Sequence, residues 1–213
     1  MPLGYKRPTL IYRLSHYSNL EFTLLNGLHC RNSDKCDPNY YEIGHKSLMD
    51  KRGNRLVPLA PCGVLNDYIP FYFAPRSPML YSIHTGYVQD FKGEQRDIIY
   101  LVSSVQQITG LTIPYVFTDG HAYELISNFY NKETDLKYID WTIMGEKYWN
   151  NTASDNDRKR RRMAEFLVYQ FVPINSIFGL VVFDDRMETT VNMIQHKCNA
   201  NIKTYIKPNW YYD

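Results

Sequence analysis

The sequence predicts an α+β fold with mainly antiparallel strands. Strand-like apolar segments lie near both ends of the chain, at residues 9–14 and 203–212, and helical patterns lie between them. This order differs from the regular alternation of strands and helices that builds a parallel sheet. The sequence contains no internal repeat, low-complexity tract or long Pro/Gly linker, so we expect a single domain over residues 1–213.

Length and composition are those of a globular protein. The chain has 213 residues, 44% hydrophobic and 22% charged, and at this length roughly 70% of the extended surface can be buried. This excludes a disordered tail, a collagen-like repeat and a coiled coil. No apolar run approaches the roughly 18 residues that span a bilayer. Residues 1–8 lack the apolar stretch of a secretory signal, so we expect a cytoplasmic protein whose four cysteines are thiols.

A helix is predicted directly after the first strand. Ser18 and Glu21 have the spacing of a capping box, and Gly27 offers a left-handed stop. The apolar positions of this helix fall on one face: Leu20, Leu24 and Leu25.

The segment from residue 32 to 67 is polar and lacks periodicity, which predicts a long functional loop. A short strand follows at residues 69–73, and its flanking prolines are expected to block sheet pairing at its ends. Ser77 as N-cap and Pro78 at the first helical position then predict a strand-to-helix corner.

Patterns in the second half predict four more strands before the last one, a broken helical region and one clear helix. The strands are at residues 97–102, 111–117, 165–172 and 177–183, the broken region at 123–148 and the helix at 187–196. Pro208 is expected to form a bulge in the final strand.

Two features of the composition suit nucleic acid. Tyr, Phe and Trp make up 15% of the chain; a core explains most of them, but a base-stacking surface would use them too. Five consecutive cations at residues 158–162 form a basic run, which indicates either a solvated face or a guide for a polyanion.

Three further residue types could carry chemistry. Glu165 opens an apolar strand, where it either solvates the sheet end or acts as a reactive carboxylate. Arg52 and Arg55 lie in a short basic cluster whose guanidinium groups suit phosphate or the edge of a base. His121 follows a strand in a turn, as an acid or base or as a capping residue. The cysteines lack zinc-site spacing, so no metal is expected.

Several segments together resemble the DarT family, the toxin enzymes of DarT/DarG toxin–antitoxin systems. They are Tyr-Arg-Leu-Ser-His at residues 12–16, Lys-Arg at 51–52, the stretch from Gly63 to Phe73, Ser-Pro-Met-Leu at 77–80, Phe-Thr-Asp-Gly-His at 117–121, Ala-Glu at 164–165 and Trp-Tyr-Tyr at 210–212.

The resemblance implies an ADP-ribosyltransferase fold, a split antiparallel β-core with flanking helices. It implies transfer of ADP-ribose from NAD to a base in single-stranded DNA, with thymine N3 the expected target. Guanine, RNA or a protein acceptor remain alternatives, as does a non-catalytic module that binds single-stranded nucleic acid. The implied partners are single-stranded DNA and an antitoxin of the DarG macrodomain type.

The resemblance also assigns segments and site residues. Residues 32–67 become an NAD-side segment and residues 118–164 a substrate-side segment. The expected catalytic residues are Arg52 and Glu165, and the expected NAD-binding residues are Arg13, Leu14, Ser15, Asn19 and Arg52. For DNA binding we expect Tyr72, Met79, His121, Arg158, Arg160, Arg161 and Arg162.

These assignments suggest a division of labour. Breaking the bond between nicotinamide and ribose creates oxocarbenium-like charge, which the Glu165 carboxylate would stabilise while it binds the ribose 2′-hydroxyl. Arg52 would hold the carbonyl edge of the base and favour its deprotonated form, while Glu165 or a water takes the proton.

Overall fold

The computed structural model describes residues 8–213. The expectation about a secretory signal concerns residues that lie mostly outside this range. The strands are β1 (Leu10–His16), β2 (Leu28–His29), β3 (Tyr68–Tyr72), β4 (Ile98–Ser104), β5 (Tyr115–Thr118), β6 (Phe129–Tyr130), β7 (Glu165–Tyr169), β8 (Phe171–Val172), β9 (Gly179–Val182) and β10 (Thr204–Ile206). The α-helices are α1 (Leu20–Asn26), α2 (Lys46–Arg52), α3 (Pro78–His84), α4 (Val105–Gly110), α5 (Trp141–Gly145), α6 (Arg158–Arg162) and α7 (Asp185–Lys197).

Within the described residues, eight strands form one sheet in the order β10-β9-β4-β1-β3-β7-β5-β6. Neighbouring strands run antiparallel except β9 and β10, which are parallel. The predicted α+β class with mainly antiparallel pairing is therefore confirmed. The order places β3 between β1 and β7, so that Tyr72 lies opposite both Tyr12 and Glu165.

The centre of the sheet forms the core. All seven residues of β4 are buried, because helices or loops cover both faces of the strand. The chain end closes the core as well. Tyr211 is fully buried, and its hydroxyl lies 2.9 Å from the carbonyl oxygen of Ile98 and 3.2 Å from that of Val181.

The start of the first helix differs from the prediction. A 3-10 turn at Tyr17–Asn19 precedes α1, and the His16 ring, rather than Ser18, accepts the capping hydrogen bond, from the Ser18 backbone N–H at 3.3 Å. The stop at Gly27 is confirmed with φ +79°, and a Cβ there would lie 2.9 Å from a backbone oxygen. Leu25 is exposed, so the predicted apolar face is too wide.

The polar segment at residues 32–67 contains the helix α2, which the sequence analysis missed. Its N-cap, His45, makes no side-chain cap hydrogen bond, and the helix is only seven residues long. Such a helix depends on tertiary contacts more than on local signals. The same segment pairs Leu56 with Val64 in an isolated antiparallel bridge.

The strand-to-helix corner after β3 is confirmed. The Ser77 hydroxyl accepts a hydrogen bond from the backbone N–H of Leu80 at 3.2 Å, and Pro78 opens α3. The predicted block to pairing is wrong at Pro70, which lies inside β3 opposite Leu167.

Four predicted strands are too long. The strand expected at residues 177–183 is observed at Gly179–Val182. Gln170, at φ +56°, separates β7 from β8, and the strand expected from residue 111 begins at Tyr115. The last strand ends at Ile206, and Pro208 opens a 3-10 turn instead of forming a bulge. Across residues 8–213, we find no helix with the length and apolar character that a membrane crossing needs.

Candidate active site

Arg52 and Glu165 form a buried, bidentate ion pair. The two guanidinium nitrogens Nη1 and Nη2 donate to the carboxylate oxygens Oε1 and Oε2 at 3.1 and 2.9 Å. The side chains are 6% and 2% exposed. Arg52 ends α2, within residues 32–67, and Glu165 begins β7, directly after residues 118–164.

The turn after β5 fixes the other side of the carboxylate. The backbone N–H of Ala122 donates to Glu165 Oε1 at 3.1 Å, and His121 Nε2 lies 3.9 Å from the same oxygen. The Thr118 hydroxyl accepts the backbone N–H of Glu165 at 3.2 Å and donates to the carbonyl of Gly120 at 2.6 Å. Glu165 is thus held in place by both the strand and the turn.

The electrostatics keep this pair charged. Burial alone favours the neutral acid, but the Arg52 charge and the hydrogen bonds from Arg52 and the Ala122 backbone outweigh it and lower the pKa of Glu165 below its ordinary value. Burial opposes the Arg52 charge in the same way, yet Glu165 raises the pKa of Arg52. Burial, as the largest cause, lowers the pKa of His121, so this ring is neutral near pH 7.

Tyr72 lies directly opposite Glu165 across the pairing of β3 and β7. Burial and the neighbouring carboxylate raise the pKa of its phenol, so the hydroxyl stays protonated. That hydroxyl lies 3.7 Å from the Met79 sulfur on α3. The structure therefore brings together Tyr72 and Met79, two of the predicted DNA-binding residues, beside the ion pair.

A cavity of about 740 Å³ opens beside Arg52. Six residues with a predicted role line it: five lie on β1, α2, β3 or α3, and Asn19 lies in the 3-10 turn before α1. Much of residues 36–49 also lines the cavity. The residues with predicted roles are Arg13, Leu14, Asn19, Arg52, Tyr72 and Met79. Ser15 does not reach the wall: it is 3% exposed, and its hydroxyl accepts a hydrogen bond from the Asn19 amide at 3.2 Å.

The polar groups of the wall suit a dinucleotide. Arg13 donates to the Pro70 carbonyl at 3.0 Å and to the Tyr40 hydroxyl at 3.2 Å, but its buried Nε has no partner among residues 8–213. Asn19 exchanges hydrogen bonds with the backbone of Tyr41 at 2.8 and 3.0 Å, which orders the NAD-side segment. A cavity of this volume lies within the range of cofactor sites.

The structure corrects the expectation for Arg160 and Arg161 in the basic run. Arg160 binds Asp157 at 2.7 Å and Asp119 at 3.1 Å. Arg161 binds carboxylates as well, Asp155 at 2.6 Å and Asp140 at 2.9 Å. These guanidinium groups brace the substrate-side segment internally instead of presenting free charge.

Arg162 also needs a correction, because it is only 4% exposed. It donates to the carbonyl oxygens of Ile143, Met144 and Pro75, which ties α6 to α5 and to the corner before α3. In this position the guanidinium is bound within the protein and is not free for DNA phosphates.

The remaining cations of the run differ from these three. Arg158 donates to two backbone carbonyls, those of Asn150 and Tyr148, at 3.1 and 2.8 Å. Lys159, which the sequence analysis did not select, is the exposed cation of the run. A count of charges along the chain could not distinguish Lys159 from its neighbours, because helix geometry decides which side chain faces solvent.

The comparison with known families identifies the chain's relatives. The family model described as ssDNA thymidine ADP-ribosyltransferase, DarT, matches residues 12–212, nearly the whole chain. The chain belongs to the DarT family. It is an NAD-dependent DNA ADP-ribosyltransferase, with NAD as co-substrate, and its ADP-ribosyltransferase fold is as predicted.

Individual DarT relatives agree. A DNA ADP-ribosyl transferase of Thermus aquaticus is 37% identical over 212 residues, covering 99% of this chain and 92% of that relative. The structure of Thermus sp. 2.9 DarT in complex with ADP-ribosylated ssDNA has a TM-score of 0.91 and 34% identity, with 100% of both chains covered. The same protein in complex with NAD+ has a TM-score of 0.86 at 33% identity, with 98% of this chain and 100% of that chain covered.

One further DarT relative contains a second activity. A DNA ADP-ribosyl transferase-DNA ADP-ribosyl glycohydrolase fusion protein of Thermosipho africanus is 27% identical over 205 residues. The match covers 95% of this chain and 49% of the fusion protein.

The backbone contribution to the DarT site is not predictable from side-chain patterns. Ala122 binds Glu165 through its N–H, a group that every residue except proline possesses, so no side-chain pattern could reveal it. Gly120 was the available signal. A Cβ at that position would collide with the Arg160 guanidinium, so a larger residue there would have to displace the Arg160 side chain.

Proposed function

We propose that this enzyme transfers ADP-ribose from NAD to a thymine ring nitrogen in single-stranded DNA, with Glu165 and Arg52 as its catalytic residues. The observation that carries the proposal is the buried, charged pair of these two residues beside a cavity of about 740 Å³. The whole chain would act as one domain, with residues 32–67 on the NAD side and residues 118–164 on the substrate side.

The cavity wall supports assignment of the NAD site. NAD supplies the ADP-ribosyl group when bound. Arg13 offers a buried Nε donor without a partner among residues 8–213, the kind of group that a phosphate or ribose oxygen satisfies. Asn19 holds the backbone of Tyr41 in the cavity wall, and Leu14 provides apolar surface there. We assign Ser15 an indirect role through its hydrogen bond to Asn19.

Glu165 would bind the ribose hydroxyl and stabilise the positive charge that develops at the sugar during transfer. Its lowered pKa keeps it a carboxylate at neutral pH, as this role requires. Since Glu165 is 2% exposed and does not line the cavity, while Arg52 does, the carboxylate reaches the sugar only after Arg52 gives up at least one of its two hydrogen bonds.

Arg52 would use the released guanidinium N–H groups to hold the carbonyl edge of the base. Its positive charge then favours loss of the proton from the ring nitrogen, which makes that nitrogen a better nucleophile. His121 is neutral at pH 7 and lies on the substrate side of Glu165, so it can contact the base or accept that proton. Tyr72 and Met79 would pack against the bound base.

We further propose an antitoxin of the DarG macrodomain type as partner, which would make this chain the toxin of a toxin–antitoxin pair acting in the cytoplasm. The supporting observation is the fusion relative, in which a DNA ADP-ribosyl transferase is joined to a DNA ADP-ribosyl glycohydrolase. An enzyme that removes the DNA mark is the expected counterpart of an enzyme that adds it.

Mass spectrometry of single-stranded oligonucleotides, each with one altered base, tests the proposed function. With NAD and enzyme, we expect one added ADP-ribose only on oligonucleotides that contain thymine. Glu165→Gln should lower the rate by about 10²–10³-fold, and Glu188→Gln on α7 is a control for loss of one carboxylate. Modification of guanine, RNA or protein instead would overturn the assignment of thymine, and an active Glu165→Gln variant would overturn the assigned mechanism.

A further inference from the structure

Most arginines of the basic run are already bound within the protein, so the cation that binds the DNA backbone near the catalytic pair is not evident from the run itself. Enzymes that act on single strands track the strand with cations along a groove. Arg160 and Arg161 are occupied by four aspartates, and Arg162 is buried. These three arginines of the basic run are therefore already engaged within the protein.

Arg55 follows the catalytic helix α2 and differs from those arginines. Among residues 8–213 its side chain forms no ion pair or hydrogen bond, and its Nε is buried without a partner. Its guanidinium carbon lies 5.9 Å from the centre of the Phe129 ring, a cation–π distance. A guanidinium held by a ring face keeps its edge N–H groups available for a bidentate acceptor.

The backbone fixes Arg55 close to the catalytic pair. Its N–H donates to the carbonyl of Arg52 at 3.2 Å, and its own carbonyl accepts the N–H of Leu65 at 3.0 Å. Phe129, beneath the guanidinium, pairs with Thr118 across β5 and β6. The Thr118 hydroxyl in turn binds the backbone of Glu165. Arg55 thus connects the turn after Arg52 with the strands that support Glu165.

Arg55 also lies away from the NAD cavity, whose wall does not include it. It contacts the substrate-side segment, through Phe129 of β6 at the edge of the sheet. An anion bound here would belong to the strand that carries the target base and not to the dinucleotide.

We propose that Arg55 binds a backbone phosphate of the single-stranded DNA, adjacent to the nucleotide that enters the Arg52–Glu165 site. This inference rests on the proposed function. Phe129 positions the guanidinium, and the unused N–H donors bind two phosphate oxygens. Arg55 is a DNA-binding residue, and it takes the role that the sequence analysis gave to Arg160, Arg161 and Arg162.

The salt dependence of DNA binding tests this assignment. Affinity of each variant for a labelled, thymine-containing single-stranded oligonucleotide is measured by fluorescence anisotropy, without NAD, over a series of NaCl concentrations. Each phosphate contact on a single strand contributes about 0.7 to the slope of log affinity against log salt. Arg55→Gln should reduce the slope by about 0.7 and weaken binding about 5-fold at 0.1 M salt.

Two variants control for charge and for packing. Arg186→Gln removes an exposed cation from α7, which packs on β10 at the opposite edge of the sheet, and should leave the slope unchanged. Arg55→Lys retains a cation and should keep the slope. Thermal unfolding of each variant shows whether the protein is folded at the assay temperature. If Arg55→Gln is unfolded there, Phe129→Leu replaces it. Phe129→Leu should weaken DNA binding, because the guanidinium is no longer held against the ring.

A slope for folded Arg55→Gln equal to that of the wild type would overturn the inference and leave Arg55 as a packing residue on Phe129. This failure is separate from failure of the proposed function, which would appear as a wild-type enzyme that adds no ADP-ribose to thymine.

Discussion

Arg52 and Glu165 lie 113 positions apart in the chain and meet as a bidentate ion pair within the protein interior. Each buried charge is compensated by the other, because both side chains are almost completely shielded from water. A substitution that removes one of the two charges therefore also leaves the other charge without its partner.

We predict strong energetic coupling in this pair. Glu165→Gln leaves the Arg52 charge buried without its counterion and should lower the free energy of unfolding by about 3–5 kcal/mol. Arg52→Gln should have a similar cost for the same reason. The double variant should cost clearly less than the sum, because neither charge then remains uncompensated.

Urea unfolding of the two single variants and the double variant measures this coupling. Arg96→Gln and Asp184→Gln, which alter a surface ion pair at 3.3 Å, provide a matched cycle with little coupling expected. Additive costs at Arg52 and Glu165 would show that the two charges do not depend on each other.

A second prediction concerns pH and His121. Its pKa is lower in the folded protein than its ordinary value of about 6.5, with burial as the main cause. Between the two pKa values the unfolded chain binds more protons than the folded chain, so stability falls as the pH drops below about 6.5. His121→Gln should lose this part of the pH dependence, whereas His196→Gln on α7 should retain it.

Chemical unfolding at several pH values between neutral and mildly acidic gives both curves. Parallel curves for the wild type and His121→Gln would show that the folded-state pKa of this ring is unshifted.

The elements that the sequence predicted well are those with local signals. The corner at Ser77 and Pro78 and the stop at Gly27 depend on capping and backbone geometry within a few residues, and both are present in the structure. The helix α2 has no such cap, so local patterns predict a loop there. Pairing across the sheet, including Pro70 opposite Leu167, depends on long-range contacts that no local pattern encodes.

The site was predictable to a different degree. Glu165 and Arg52 could be selected because the segments around them resemble a known family, whereas residue patterns alone left Glu165 as a plausible edge residue. Which cations of the basic run are ion-paired was not predictable. Their four aspartate partners are spread along the chain from residue 119 to residue 157. Charge in the sequence does not reveal which cations are already paired.

A third prediction follows from the close packing of Gly120 against Arg160. In Gly120→Ala the new methyl group displaces the guanidinium from Asp119 and Ser127. Loss of these hydrogen bonds should destabilise the fold by about 1–3 kcal/mol. Arg160→Ala removes the same contacts, so adding Gly120→Ala to it should cost little more.

Unfolding free energies of the two single variants and the double variant check this non-additivity. Gly86→Ala is not a suitable control, because Gly86 has φ +73°, where any other residue is strained. Gly110→Ala is better suited, since a Cβ there meets nothing within 4 Å. Independent, fully additive effects at residues 120 and 160 would contradict the proposed packing.

The fourth prediction is that Arg162 stabilises the fold and does not contact DNA. Arg162→Met should lower the unfolding free energy by about 3 kcal/mol or more, because the buried carbonyls of Ile143, Met144 and Pro75 lose their donors. The salt slope of DNA binding should stay that of the wild type wherever the variant is folded. A reduced slope in folded Arg162→Met protein would restore this residue to the DNA interface.

The buried position of Tyr211 has a consequence for synthesis of the protein. Its ring fills the interior and its hydroxyl reaches the backbone of both β4 and β9. A nascent chain whose residues 211 and 212 are still within the ribosome lacks this part of its interior. Arg52 and Glu165 precede Tyr211 in the chain, so both members of the ion pair are synthesised before the ring that completes the core.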